Sequence, residues 1–308
     1  MTADDSFDER TALSLLADEA RVAIVKALGE ATVEAPGLGY RTYSALKDDA
    51  GIRDSGRFNY HLNELLGPFV REYDEGYCLT TQGRLAFQHL VAGGITTDLR
   101  VDAFPVDQDC HECGNGLVAE YGMGWERPLM PLFYIKCWQC GSEYSRTYLP
   151  PRGVQLRSED ELLVAADRRN RMETASMVRG VCPWCAGHVE TSAHERDGDL
   201  PASGDGSPLE VYYEHHCTAC TGFHYTSIGE TLRYSAPVIA FYHDHGHDLH
   251  TIPKWELEWA VTDEHLTWYG PNPWDFRVEI PLDDEVLCVR LDGDATVVDT
   301  EVLDAEQV

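Results

Sequence analysis

Eight of the ten cysteines fall into four Cys-x-x-Cys pairs: Cys110/Cys113, Cys137/Cys140, Cys182/Cys185 and Cys217/Cys220. Two residues between sulfurs let one tight turn aim both thiolates at a single tetrahedral ion, so two pairs complete a four-sulfur zinc site. Taken in chain order, Cys110/Cys113 joins Cys137/Cys140, and Cys182/Cys185 joins Cys217/Cys220. Four sulfurs leave zinc no open coordination position, so both ions are expected to be structural. Gly114 and Gly141 follow the first two pairs, where a knuckle needs positive φ. The remaining cysteines, Cys78 and Cys288, read as small buried hydrophobes.

A second set of residues suits nucleic acid. On a helical wheel for 56–66, Phe58, Leu62, Leu65 and Leu66 gather on one face. The opposite face carries Arg57, Tyr60, Asn63 and Glu64, with Asn59 at its margin. Arg57 suits guanine or phosphate, Asn59 and Asn63 suit adenine or phosphate, and Tyr60 suits phosphate or a thymine methyl. Arg53, just ahead of the helix, is placed for the sugar-phosphate backbone. His61 falls beside the apolar side and reads as a boundary packing residue, while Glu64 is awkward near phosphate.

Two further clusters have blander readings. His243, His245, His247 and His250 crowd together, but Gly246 interrupts any helix that would align them, which favours a solvated loop over a metal site. Arg168, Arg169, Arg171 and Arg179 form the densest basic run, better explained by pairing with nearby carboxylates than by contact with DNA. No nucleophile elbow, phosphate loop or His-Glu-x-x-His motif is present, so the chain is not expected to be an enzyme.

The elements that must position these groups follow from capping and periodicity. Residues 7–29 predict one amphipathic helix with Leu13, Leu16, Ala20, Ala23 and Ala27 on its inner face, ended by Gly29. A loop containing Pro36-Gly37-Leu38-Gly39 leads to a short helix from Tyr43 to Ala50. Asp54 or Ser55 caps the helix that carries Arg57. Val70–Tyr73 and Tyr77–Thr80 make a hairpin turned by Asp74-Glu75-Gly76, and Thr81–Val91 a further helix stopped by Gly93-Gly94. This order, with a short helix before a tight ribbon, is that of a winged helix-turn-helix.

Ser158-x-x-Glu161 is a capping box that starts a helix reaching Val178. The second cysteine quartet encloses a polar, flexible insertion, Glu195 to Pro208. Pro237–Tyr242 predicts a short helix. Trp255–Trp259, Phe276–Ile280, Val286–Leu291 and Thr296–Val302 alternate as strands do, and an Asp292-Gly293-Asp294 turn joins the last two. The expected fold class is α+β. Its parts are a winged helix-turn-helix over 1–95, a first zinc ribbon over 96–155, a connecting helix over 156–180 and a second ribbon over 181–232. A β-rich unit over 233–308 follows, packed on the second ribbon.

Charge limits what the surface can bind. The chain has 53 acidic and 24 basic residues, a formal net charge of −29, with lysine only at 26, 47, 136 and 254. Residues 1–95 hold 15 acidic and 9 basic residues, so the deficit lies mainly beyond them. DNA-binding surfaces are usually basic because phosphate contacts dominate affinity. A hydrated carboxylate coat of this density suits very high salt, where screening confines repulsion to a few ångströms. The first ten residues lack a basic n-region and an apolar h-region, and no apolar run approaches membrane-spanning length, so a cytoplasmic protein is expected.

The segment Leu13–Leu28, with Tyr43-Ser44-Ala45-Leu46 and the stretch from Phe58 to Gly83, resembles the ArsR-type winged helix-turn-helix regulators of halophilic archaea. The likeness covers about residues 7–93. It implies a transcriptional regulator that binds double-stranded DNA, often as a homodimer through its terminal helices. Metal-sensing members carry a Cys-x-Cys motif on the recognition-side helices. This chain has no cysteine before Cys78, which argues against metal sensing there. The cysteine-rich remainder resembles zinc-ribbon-like extensions of such regulators. Two alternatives stand beside this reading: a zinc-ribbon adaptor docking on transcription machinery through protein contacts and, more remotely, a zinc-dependent hydrolase.

Overall fold

The computed structural model describes residues 9–35, 39–93, 99–122, 132–196 and 209–307. The start of the first helix, Pro36-Gly37-Leu38, Gly94 and residues 197–208 of the polar insertion lie outside the described residues. The chain is a mixed α+β protein with several antiparallel sheets. It divides into two compact units, residues 1–97 with 150–153, and residues 98–149 with 154–308.

In the first unit the helix expected over 7–29 is two helices, α1 (Glu9–Leu15) and α2 (Glu19–Glu34). Asp18 interrupts the run because its carboxylate accepts from the amides of Ala20 (2.9 Å) and Arg21 (3.2 Å), capping α2. The break turns Leu13 outward, 72% exposed, instead of into the core. Ile24, Val25 and Leu28 fill the inner face instead, beside Ala20 and Ala27. Gly29 does not end α2, which runs on to Glu34. A side chain at Gly29 would stand 2.2 Å from the Phe87 ring, so the glycine serves close packing of α2 on α5 (Thr81–Ala92).

Between these helices lie α3 (Tyr43–Asp49), α4 (Ser55–Leu65) and the hairpin β1 (Val70–Tyr73) and β2 (Gly76–Leu79). Thr42, Asp54 and Thr80 cap α3, α4 and α5 through their side-chain oxygens. Arg41 exchanges two backbone hydrogen bonds with Tyr77 (3.0 and 2.8 Å), which adds a short third rung to the hairpin. Leu46, Phe58, Leu62, Leu65, Phe69, Val70 and Leu79 complete the core with the α2 residues.

The second unit holds three sheets. β3 (Val101–Asp109), β4 (Gly116–Gly122), β5 (Leu132–Cys137) and β6 (Glu143–Thr147) form an antiparallel meander. After α6 (Pro151–Gln155), the capping box of Ser158 and Glu161 opens α7 (Glu159–Val178). A three-stranded sheet follows: β7 (Val189–Glu195), β8 (Val211–Cys217) and β9 (Phe223–Thr226). Two helices come next, α8 (Ile228–Leu232) and α9 (Ala236–Asp244).

The alternating Trp255–Trp259 segment is not a strand. It forms a 3₁₀ turn (Lys254–Glu256) and the short helix α10 (Glu258–Val261). Trp255, Leu257 and Trp259 are all buried, and Trp255 joins the core of the first sheet while Leu257 and Trp259 join that of the second and third. Alternation satisfied by two different cores mimicked a strand.

The last sheet runs β10 (Leu266–Tyr269), β11 (Asp275–Leu282), β12 (Glu285–Asp292) and β13 (Val297–Asp304), each antiparallel to the next. Phe276, Val278 and Ile280 of β11 share one core with Val211 and Tyr213 of β8, so the C-terminal sheet packs on the second cysteine-bearing sheet as its sequence implied. β12 is central and its Val286 to Val289 are buried on both faces, whereas the edge strand β13 is largely exposed.

Replacing Gly29 with leucine should lower the unfolding free energy by about 1–3 kcal/mol through overpacking against Phe87. Leu13→Ala should change it by less than about 0.5 kcal/mol, because the side chain lies outside the core. Urea denaturation of the two variants separates the two-helix arrangement from a continuous inner-face helix.

Candidate metal centres and exposed helix face

All four Cys-x-x-Cys pairs fold into the same turn. The amide of the first cysteine donates to the carbonyl five residues on: Cys110 to Asn115 (2.7 Å), Cys137 to Ser142 (2.8 Å), Cys182 to Gly187 (2.9 Å) and Cys217 to Gly222 (2.8 Å). In three of them the residue after the second cysteine has positive φ, at Gly114 (70°), Gly141 (80°) and Ala186 (58°). Alanine tolerates this left-handed backbone only at some cost, so the turn geometry is imposed by what it holds. Each knuckle sits at one end of its sheet, and the first cysteine of every pair is buried while the second is exposed.

These turns bring the sulfurs together in two groups, Cys110, Cys113, Cys137 and Cys140, and Cys182, Cys185, Cys217 and Cys220. Within each group the ligand atoms lie within 4.8 Å of one another. Cys110–Cys140 is 3.6 Å, Cys113–Cys137 3.5 Å, Cys182–Cys220 3.7 Å and Cys185–Cys217 3.5 Å. The edge of a tetrahedron built from ~2.3 Å zinc–sulfur bonds is ~3.8 Å, so the donor set and its spacing fit a closed four-sulfur metal site.

The surroundings favour thiolates at selected positions. Asn115 donates its side-chain amide to Cys113 Sγ at 3.4 Å, and with its backbone amide draws that thiol down to about 6. The Ala219 amide, 3.3 Å from Cys217 Sγ, brings that thiol down to about 7. Burial instead pushes Cys110 up to about 11. Tyr144 braces this site, with its hydroxyl 3.2 Å from Cys110 Sγ while accepting from the His111 amide at 2.9 Å. His111, inside the first knuckle, is anchored by its Nε2 to the Trp255 carbonyl (2.9 Å). The second site rests on Met177 of α7 and on Val189.

The structure also locates the other sequence candidates. Arg53, Arg57, Asn59, Tyr60 and Asn63 are exposed, Tyr60 at 60%, while Phe58, Leu62 and Leu65 are buried. His61 is buried, its Nδ1 3.4 Å from the Asp18 carboxylate. Lys47, overlooked in the sequence, donates to Ser55 Oγ (2.8 Å) at the start of α4, and its place in an unremarkable helical turn gave no signal. The hairpin tip carries Asp74 and Glu75, beside Glu72, which accepts from Tyr77 (2.8 Å). His243, His247 and His250 are exposed, and among the described residues only the two cysteine groups could hold a metal ion. Arg169 and Arg171 pair with Glu173 (2.6 Å) and Asp167 (2.9 Å), one helical turn away. Cys78 and Cys288 are buried apart from both sulfur clusters.

Taken together, the second unit is a pair of four-sulfur centres, each built from two knuckles on an antiparallel sheet. The chain belongs to the family described as Domain of unknown function (DUF7351), whose model matches residues 107–297. Residues 9–90 match a second family model, Domain of unknown function (DUF7347). No curated protein and no solved structure matches the chain. Among the described residues no helix is long and apolar enough to cross a membrane.

Loading metal-free protein at pH 7 should release protons, because Cys110 is protonated there whereas Cys113 and Cys217 already ionise near 6 and 7. Protons compete with the metal for sulfur, so affinity should already fall with falling pH around 7, and more steeply below about 6 where Cys113 also takes up a proton. Titration calorimetry in buffers of different ionisation enthalpy reads both effects. Cys113→Ser should remove one bound ion per chain and Cys288→Ser none, as counted by elemental analysis.

Proposed function

We propose that the chain is a DNA-binding transcriptional regulator whose first unit is a winged helix-turn-helix and whose two cysteine centres are structural zinc ribbons. The observation that carries this reading is the split face of α4. Its apolar side closes the core, and its free side presents Arg57, Asn59, Tyr60 and Asn63 to solvent ahead of a tight hairpin. Such side chains match major-groove donors, acceptors and methyls. Arg53 and Lys47 flank the helix start and suit phosphates.

The acidic residues set conditions on binding. Asp74 and Glu75 at the hairpin tip would meet phosphate unfavourably, so the α4 face carries the base contacts and the tip stays clear of the backbone. In multimolar salt counterion release contributes little, and base contacts and DNA shape must supply more of the affinity. A palindromic operator and a homodimer accord with this reading, as does a cytoplasmic site of action. No open coordination position remains in a four-sulfur site, which supports a structural over a hydrolytic role.

An adaptor that contacts transcription machinery through protein is the second reading. It is favoured by Trp138 and Trp184, which sit within knuckles and are 61% and 46% exposed. Exposed aromatics of this kind serve interfaces well.

Arg57→Ala and Asn63→Ala should each weaken operator binding by roughly 5- to 150-fold, the range for losing one base-reading side chain, without lowering thermal stability. Genome-wide mapping of bound sites supplies the operator. Enrichment at no DNA site, together with unchanged binding in these variants, would overturn the regulator in favour of the adaptor.

A further inference from the structure

The middle of α7 is buried through polar residues. Asp167, Asn170, Glu173 and Thr174 are each at most 7% exposed, where a helix packed between two sheets would ordinarily present apolar side chains. Asp167, Asn170, Arg171 and Thr174 occupy one stripe at helical spacing. That stripe faces the end of α8, where Arg233 is fully buried.

The charges there do not balance. Lys254 is paired with Glu230 (3.0 and 3.1 Å), Arg169 with Glu173 and Arg146 with Glu143. His224, next in the cluster through its 2.9 Å contact with Thr174, is held neutral by burial, its pKa drawn down to about 4. Asp167 alone is left between two guanidinium groups, 2.9 Å from Arg171 and 3.5 Å from Arg233. Glu256, whose field reaches Asp167, is exposed to solvent and screened. One guanidinium charge therefore lies buried without a carboxylate of its own. Arginine cannot shed it by losing a proton.

Hydrogen bonding is also incomplete, and in the same place. Arg233 donates through Nη2 to the Ile252 carbonyl (3.2 Å), which Arg171 also approaches (3.0 Å). Arg233 Nε and Nη1, Arg171 Nε, both amide atoms of Asn170, the Tyr234 hydroxyl and Asp167 Oδ1, which is 3.5 Å from Arg233, find no hydrogen-bond partner among the described residues. The unmet groups are mostly donors, and leaving buried donors unmet is costly. A neutral water would satisfy some of them but not the charge.

We propose that a small monoanion of halide size binds between α7, α8 and the Leu249–Lys254 segment, held by Arg233 and Asn170. Arg233 and Asn170 are each at most 1% exposed, so the ligand must be among the smallest anions. The anion would supply the missing negative charge and accept the free N–H groups. It would thereby couple α7 to the segment between the second and third sheets.

The test uses the full chain with bromide as probe. Crystals grown in bromide should show one anomalous peak enclosed within about 3.5 Å of the Arg233 guanidinium nitrogens. In solution, chloride-35 line broadening should report a site whose affinity falls about tenfold or more in Arg233→Gln. Should that variant fail to fold, Asn170→Leu keeps the charge and should still weaken the site by several-fold. Water alone beside Arg233, bromide confined to the protein surface, or line broadening unchanged in a folded variant would each overturn the proposal.

Discussion

Four sulfurs within 4.8 Å of one another are the constraint around which the second unit is built. Ionised thiolates at that distance repel, and only a cation among them or retained protons can neutralise the group. The fold answers by fixing each pair in the same five-residue turn, and by anchoring the first cysteine of every pair in the interior. The strands of both cysteine-bearing sheets lead into these turns, so the sheets take their position from the sulfurs. The Tyr144 hydroxyl and the Asn115 amide then bias individual sulfurs without closing the exposed side.

α7 links the parts of this unit, and does so with two chemistries. Its ends are apolar, Leu162 and Ala166 entering the core of the first sheet and Met177 supporting the second cysteine centre. Its middle is a stripe of buried polar residues that meets Arg233 and the Ile252 carbonyl. Charged groups buried in this way seldom add to stability over an apolar core, so their presence points to specificity of packing or to a bound partner ion. The C-terminal sheet completes the unit through a core shared with β8, α8, α9 and α10.

The first unit works by different means. It has no sulfur cluster, and its cohesion comes from Ile24, Leu28, Leu46, Phe58, Leu62 and Leu65 together with side-chain caps on α2 to α5. The same helix that supplies Phe58, Leu62 and Leu65 to the core leaves Arg57, Tyr60 and Asn63 free. Packing of the opposite, apolar side thus fixes the orientation of the exposed face. Most of the net acidic excess, 38 acidic against 15 basic residues, falls in residues 96–308.

Much of this was legible in the chain itself. Cys-x-x-Cys spacing is a local property, set by the reach of two residues, and it named all eight sulfurs and their grouping. Capping residues such as Asp54 and Ser158 act within one helical turn and marked α4 and α7 closely. The split face of α4 followed from helical period alone, including the inward turn of His61. What failed depended on neighbours far along the chain. Asp18 could cap only by breaking a run that looked continuous, and Gly29 matters because Phe87 packs on it. Trp255 to Trp259 alternated because two separate cores receive its side chains. Arg233 carried no sequence signal whatever, since its burial opposite Asp167 and Asn170 exists only once α7 and α8 are packed. Local geometry determines spacing and caps, whereas charge balance and burial are sums over residues that only the tertiary structure brings together.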